Sequence, residues 1–225
     1  MGNLGPKLLE ELQCENVFTI GGIGISESVV VTWIIMAVFL LAAILLTRNL
    51  KVENPGRGQL MLEYIVTWLQ GIGEGIIGEE EKGYASYLTS ILIYLGVANL
   101  IGMLGFKPPT KDLNVTAALA LMSIILIEYA GIHKKGFRGW LKSFTQPIAI
   151  VTPINILEVF VKPLSLCMRL FGNVLGAFVI MKLIECILPV GLPVIFSAYF
   201  DVFDGLIQAY VFVFLTGLFI KEAIE

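Results

Sequence analysis

The sequence predicts an all-α polytopic membrane protein with about five membrane helices. Of its 225 residues, 57% are hydrophobic and only 15% are charged, and its mean hydropathy is +0.87. An ordinary soluble domain carries about 25% charged residues, and a globule of this size has too little interior to bury the excess apolar surface. Uncharged runs about as long as a bilayer is thick are the third observation. These observations exclude a disordered tail, a disulfide scaffold and an ordinary cytosolic enzyme.

Three apolar runs predict the first three spans. Ser28–Thr47 carries no charge and is long enough, at about 1.5 Å per residue, to cross a hydrocarbon core of roughly 30 Å. Tyr84–Gly105 is a second uncharged run of similar length. Leu113–Ile132 is the third, interrupted only by Glu128 near its end. That acid would either reach the interface or pair inside the bundle.

Two further segments, residues 1–27 and 55–78, flank the first span. The first lacks the basic start and apolar centre of a signal peptide, so we expect a retained, external N-terminal segment. In the second, apolar residues recur at helical spacing opposite Glu63, Gln70 and Glu74, which predicts an amphipathic helix lying in the membrane interface. Those apolar residues are Met61, Ile65, Trp68, Ile72 and Ile76. Residues 28–132 would thus hold three spans and this interfacial helix.

The positions of Lys and Arg predict the orientation, because positively charged loops stay in the cytoplasm. With the N-terminus outside, eight basic residues fall in cytoplasmic loops and three fall outside. The cytoplasmic group is Arg48, Lys51, Arg57, Lys82, Lys134, Lys135, Arg138 and Lys142, and the outer group is Lys7, Lys107 and Lys111. We therefore expect the N-terminus outside and the C-terminus in the cytoplasm.

Residues 133–225 are expected to form a cytoplasmic basic loop and a C-terminal helical hairpin. Helical pattern runs over Ile154–Leu188, and after a turn rich in Pro and Gly it resumes over Val194–Ile220. The first leg would be roughly 52 Å long, and the second about 40 Å. Neither fits upright in a core of roughly 30 Å, so either Pro163 breaks the first leg or the hairpin is strongly tilted. The overlong second leg favours tilt.

Polar residues form a stripe on each leg of the predicted hairpin. On the first leg they step by three or four positions and so share one helix face; they are Glu158, Lys162, Ser165, Arg169, Asn173 and Gly176. On the second leg Asp201, Asp204 and Gln208 do the same. Ionisable groups inside a membrane are costly and mark ion pathways or buried salt bridges. Two polar stripes on neighbouring helices imply water between them.

Salt bridges within the hairpin are the competing explanation for some of these charges. Glu158 and Lys162 are four positions apart, and Lys182 and Glu185 are three apart, so each pair can close on its own helix. Arg169 has no acid three or four positions away, and its guanidinium cannot lose its charge. Its partner is expected on another element or another chain.

The segment Leu164–Asn173, with the run Arg-Leu-Phe-Gly-Asn, resembles the signature of subunit a of bacterial F-type ATP synthases. The resemblance extends to residues 112–116, Asp-Leu-Asn-Val-Thr, and to residues 207–210, Ile-Gln-Ala-Tyr. It implies a multi-pass stator subunit of a bacterial inner (plasma) membrane, without a cofactor and not catalytic alone. The hairpin would face the rotating c-ring, and the implied partners are the c-ring subunits, the stator stalk of subunit b, the rest of the synthase and the lipid bilayer.

The resemblance also implies roles for single residues. Arg169 would face the ion-binding carboxylate of a ring subunit, with Asn173 and Gln208 flanking it. Two half-channels would lead to this point from opposite sides of the membrane. Asp201 would be the relay on the entry side, with Asp204 on the same helix face as a second candidate. Asn114 would line the outer path, and Lys162, seven positions before the arginine, also matches the family.

One position departs from the family. Many members carry an acid about five residues after the signature asparagine, where this chain has Phe178. The next acid is Glu185, so Asp201, Asp204 and Glu185 would carry the outer path instead. Protons are the expected coupling ion by family prevalence, and sodium stays open because the ring subunit coordinates the ion.

Two other classes of protein, a channel or transporter and a membrane enzyme, are alternatives for a polytopic chain with intramembrane charges. A stand-alone ion channel or secondary transporter would also line its pathway with charged residues, but the sequence shows no internal repeat. A membrane enzyme lacks support, because the one histidine, His133, lies in the basic loop and the three cysteines are widely spaced. A net charge of -3 with scattered basic residues argues against a nucleic-acid partner.

Overall fold

The computed structural model describes residues 16–20, 23–48, 50–51, 55–78, 82–104, 108–145, 149–187, 196 and 198–224. Within these ranges six α-helices form the protein. Their bounds are α1 Glu27–Thr47, α2 Arg57–Ile77, α3 Lys82–Leu100, α4 Leu113–Ser143, α5 Thr152–Ile187 and α6 Gly205–Ile224. Short 3-10 segments cover Ile101–Leu104, Pro109–Lys111 and Ala149–Val151, and a π-helical segment covers Ala198–Asp204.

Four helical segments are long and apolar enough to cross a membrane: Glu27–Thr47, Leu113–Ser143, Thr152–Met181 and Ala198–Ile224. The predicted second span, Tyr84–Gly105, is the helix α3, which is more polar than these four. It lies at the centre of the bundle, where Leu88 and Leu95 are fully buried. The protein is therefore an all-α polytopic membrane protein, as predicted, apart from a short β-hairpin before α1.

A two-stranded antiparallel sheet precedes α1, which the all-α prediction did not include. Strand β1, Asn16–Ile20, pairs with β2, Ile23–Ser26. The sequence between the strands is Gly21-Gly22, a pair that favours two-residue hairpin turns. The Ser26 hydroxyl then donates to a carboxylate oxygen of Asp112 at 2.9 Å, which ties the end of the hairpin to the start of α4.

Helix α4 extends beyond its predicted end at Ile132, so part of the predicted basic loop is helical. Asp112 caps its first turn, because a carboxylate oxygen accepts the backbone N–H of Asn114 at 2.9 Å. The helix bends at Gly136, whose φ of 70° lies in the left-handed region that glycine tolerates. Glu128 accepts a hydrogen bond from the Trp140 indole at 2.7 Å, so this acid pairs across the bend.

Helix α5 decides between the two explanations of the overlong first leg. It runs unbroken for 36 residues with Pro163 inside, so proline does not end it. Such a helix is about 54 Å long and cannot stand upright in a core of roughly 30 Å. Its length thus favours a tilted hairpin.

The sequence predicted one regular α-helix for the return leg, and the structure differs from this prediction. It begins with the π-helical segment and continues as α6. Helix α6 packs along the bundle with Phe212, Val213 and Ile220 buried. At Gly217 a Cβ atom would lie only 2.5 Å from Ile76 Cγ2, so α6 and α2 approach closely there.

The two N-terminal helices are the most exposed part of the structure. On α1 only Ser28, Val31 and Ile35 are buried. On α2 the apolar side chains Met61 and Trp68 are 66% and 60% exposed. Lipid is the expected environment of such surfaces, and the interfacial position of α2 stays a prediction.

Candidate functional site

The polar stripe of α5 lies on the outward face of the bundle. Ser165, Arg169 and Asn173 are all exposed, one helical turn apart. The neighbouring face, about 100° around the helix, carries Leu166 and Leu170, which are 2% and 0% exposed and pack into the core. The helix thus divides into an apolar side that packs into the bundle and a polar side on which Ser165, Arg169 and Asn173 are exposed among the described residues.

Arg169 has no acidic partner within the described part of the chain: no carboxylate there forms an ion pair with it. Its guanidinium carries five N–H donors and a permanent charge. An arginine at membrane depth costs at least about 2.5 kcal/mol unless it is solvated or paired. An exposed guanidinium of this kind can form an ion pair with a carboxylate of another chain.

Asn173 and Gln208, for which the resemblance implies positions flanking Arg169, lie next to each other. The amide nitrogen of Asn173 donates to the amide oxygen of Gln208 at 2.7 Å, which joins α5 to α6. Gln208 is only 4% exposed, and its own amide nitrogen has no hydrogen-bond partner among the described residues. A buried donor of this kind is a place where water is expected to bind.

Lys162 lies at the other end of the stripe, between two carboxylates. Its ammonium is 3.1 Å from a carboxylate oxygen of Glu222 and 3.5 Å from one of Glu158. The predicted salt bridge between Glu158 and Lys162 is therefore present, although Glu222 is the nearer partner of Lys162. Sequence reasoning missed Glu222, which lies 14 positions (222 minus 208) after Gln208. That is two seven-residue steps along the same face of α6, a signal that could have identified it.

A cavity of about 330 Å³ opens beside this cluster, between α4, α5 and α6. Its lining includes Glu128, Lys135, Glu158, Lys162 and Glu222. Side chains of both charge signs face one space there, which makes the cavity suited to water. In the predicted orientation this end of the bundle faces the cytoplasm.

The remaining predicted residues either lie away from this cluster or have side chains outside the described part of the structure. Asp204 ends the π-helical segment and is half-buried. Asn114 is exposed in the first turn of α4 and bonds to none of the other predicted site residues in the ranges described. Glu185 lies on α5 and Asp201 in the π-helical segment, but their side chains, like that of Lys182, fall outside the described part.

A contact at Phe178 was not foreseen. The ammonium of Lys111 lies 3.4 Å from the centroid of the Phe178 ring, a cation–π arrangement, and Lys111 is only 7% exposed. A buried cation thus stands next to the position at which many family members carry an acid.

Comparison with known proteins covers nearly the whole chain. A family model described as ATP synthase A chain matches residues 29–221. The chain is 39% identical over 210 residues to ATP synthase subunit a of Moorella thermoacetica, covering 93% of this chain and 95% of that protein. It is 37% identical over 209 residues to ATP synthase subunit a 2 of a Bradyrhizobium species, covering 92% and 93%. For ATP synthase subunit a 2 of Acaryochloris marina the identity is 32% over 205 residues, covering 90% and 87%.

The matched range of the family model, residues 29–221, spans the long apolar helices of the structure and includes residues 164–173. Ion transport and ATP synthesis follow from the family, as does membership of an F-type complex. The chain belongs to the ATP synthase A chain family and is a multi-pass subunit of the ion-translocating membrane sector.

Proposed function

We propose that this subunit is the stator half of a rotary ion motor, in which Arg169 faces the ion-binding carboxylates of a c-ring. The observation that carries the proposal is an arginine exposed on the outward face of α5, in a helix long and apolar enough to cross a membrane. A fixed cation there favours the ionised form of a carboxylate that comes opposite it. The ring carboxylate then releases its ion on arrival, and the same charge repels cations that would cross directly.

Two half-channels would supply and drain this point. The outer path would use Asn114, Asp201, Asp204 and Glu185, and reach the arginine past the pair of Asn173 and Gln208. The buried amide nitrogen of Gln208 without a partner among the described residues supports water along this route. For the cytoplasmic path we propose the cavity at Glu158, Lys162 and Glu222, with Ser165 between it and the arginine.

The first test replaces the arginine. We expect Arg169→Ala to abolish ion-driven ATP synthesis in membrane vesicles while the complex still assembles, because the ring carboxylate would keep its ion. Arg138→Ala is the matched control, since Arg138 is exposed in the basic segment beyond the Gly136 bend. Normal coupled synthesis in Arg169→Ala would refute the role of the arginine.

The second test concerns the partner surface. Single cysteines at Met168 and Asn173, on the exposed face, are expected to form disulfides with cysteines placed beside the ring carboxylate. A cysteine at Leu170, which is fully buried, is the control and should not. The native Cys14, Cys167 and Cys186 would be replaced beforehand. Equal cross-linking at all three positions, or none at any, would contradict a c-ring on this face.

We propose protons as the coupling ion, on the strength of the family resemblance. ATP-driven acidification of inverted vesicles should then proceed at the same rate with and without added Na⁺. A rate that rises with Na⁺ concentration, together with uptake of radioactive sodium, would assign sodium instead.

The further partner is a stator stalk of subunit b, and the proposed location is a bacterial plasma membrane. The exposed apolar surfaces of α1 and α2 leave room for a neighbouring membrane helix as well as for lipid.

A further inference from the structure

Three buried polar groups meet where α3 ends and the return leg begins. The Asn99 amide nitrogen donates to the carbonyl oxygen of Gly205 at 2.8 Å. The Thr110 hydroxyl donates to the Asn99 amide oxygen, also at 2.8 Å. Asn99 is 5% exposed and Thr110 is fully buried. The chain of bonds joins α3, the 3-10 segment Pro109–Lys111 and the first residue of α6.

The geometry leaves the Asn99 amide with one orientation. The carbonyl oxygen of Gly205 can only accept, so the nitrogen end of the amide must point at it, and the oxygen end then accepts the hydroxyl of Thr110. Gly205 allows this close approach, because a Cβ atom there would lie 3.0 Å from Asn99 Cβ. A buried amide that loses either partner would keep an unsatisfied polar atom, so the two hydrogen bonds support each other.

The residue held by this chain of bonds directly follows the π-helical segment Ala198–Asp204. π-helical turns are rare and are found mostly at functional sites. If this segment relaxed to regular α-helix, its residues would shift by one position against α6. Such a shift would turn Asp201 and Asp204 by about 100° around the helix axis. A fixed junction at Gly205 prevents that rotation.

We propose that the hydrogen-bonded chain Thr110–Asn99–Gly205 is a positioning device that holds the π-helical segment in register, so that Asp201 and Asp204 serve the outer ion path. The inference rests on the proposed function, because it presumes that ions pass these two acids. Asn99 and Thr110 are positioning residues in this scheme, and neither needs to touch the ion.

The test uses two substitutions at one buried position. Thr110→Val removes the hydroxyl and keeps the shape, whereas Thr110→Ser keeps the hydroxyl and loses a methyl group. In complete synthase complexes in inverted vesicles, ATP-driven ion uptake should fall about three- to tenfold in Thr110→Val, as expected for the loss of one neutral hydrogen bond. Thr110→Ser should retain the wild-type rate. Gly205→Ala, which presses a methyl group against Asn99, should reproduce the loss.

Each result decides the question. Assembled Thr110→Val complexes that pump at the wild-type rate would overturn the inference, and so would equal losses in the Ser and Val variants. Failure of Thr110→Val alone to assemble would also overturn it, since the bonds would then hold the fold rather than the segment. Arg169→Ala is measured in the same vesicles. If it pumps normally, the proposed function fails; if it is inactive and Thr110→Val is normal, only the positioning role fails.

Discussion

Lys162 illustrates what a single charge contributes at the end of the hairpin. Its side chain is 20% exposed and lies between carboxylates on two helices, Glu158 on α5 and Glu222 on α6. The two acids are 49% and 53% exposed, and ion pairs of such exposure contribute only about 0 to 1 kcal/mol to stability. The cluster is therefore too weak to be explained as a clamp that holds the hairpin together.

Glu222→Gln separates the two roles of this cluster. We expect the change to lower the free energy of unfolding by less than about 1 kcal/mol and to slow ATP-driven ion uptake clearly, because the cavity would lose a carboxylate. Thermal inactivation of the complex measures the first effect and dye-monitored uptake the second. Glu63→Gln, on α2, is the control for charge. A large drop in thermal stability with unchanged uptake would show that the cluster is structural.

Single residues differ in how far the sequence could predict them. The resemblance implied only that Asn173 and Gln208 flank the arginine, and the hydrogen bond between the two amides is a finding of the structure. Lys111 over Phe178 was not predictable, because a cation–π contact between residues 67 positions apart (178 minus 111) leaves no periodic signal. Such contacts depend on how helices pack, which periodicity does not determine.

Helices were predicted well wherever one period runs through a long apolar segment. The start of α4 at Leu113, after the cap residue Asp112, agrees with the sequence, and α5 starts at Thr152, two residues before the predicted Ile154. The π-helical segment was not predicted, because a stripe of side chains is recognised by a period of 3.6 residues per turn. Pro163 is compatible by sequence with either a broken or a continuous helix, and the structure shows that the helix is continuous.

Gly217 tests how closely α6 and α2 must approach. A Cβ atom at this position would lie 2.5 Å from Ile76 Cγ2 and 2.9 Å from Leu88 Cδ1. Gly217→Val should therefore destabilise the subunit by about 1–3 kcal/mol, the usual cost of overpacking. Thermal denaturation of the purified complex measures it. Gly71→Val, on α2, is the matched control, because nothing lies within 4 Å of a Cβ there; equal stability of the two variants would argue against close packing.

At the scale of the whole molecule, the burial of α3 and its hydropathy lead to different expectations about whether it crosses the membrane. It lies at the centre of the bundle, with Leu88 and Leu95 fully buried, yet it is not among the four helices that are long and apolar enough by composition alone. Polar residues such as Thr89 and Asn99 lower its hydropathy but are buried and hydrogen-bonded within the bundle. A helix shielded by its neighbours needs less apolar surface than one that faces lipid. We therefore expect α3 to cross the membrane.

Two exposed residues, Gly24 and Arg138, can test both the orientation of the chain and the crossing of the membrane by α3. The test determines on which side of the membrane each residue lies. Gly24 precedes α1, and Arg138 follows the bend in α4; both are exposed. If α1, α3 and α4 all cross, the chain crosses three times between them, so they lie on opposite sides. The excess of basic residues around Arg138 predicts that it is cytoplasmic and Gly24 external. In a chain whose native Cys14, Cys167 and Cys186 are replaced, a membrane-impermeant thiol reagent should thus label Gly24→Cys in right-side-out vesicles and Arg138→Cys only in inverted ones. Labelling of both from the same side would mean that α3 does not cross, and the reverse pattern would mean that the N-terminus is cytoplasmic.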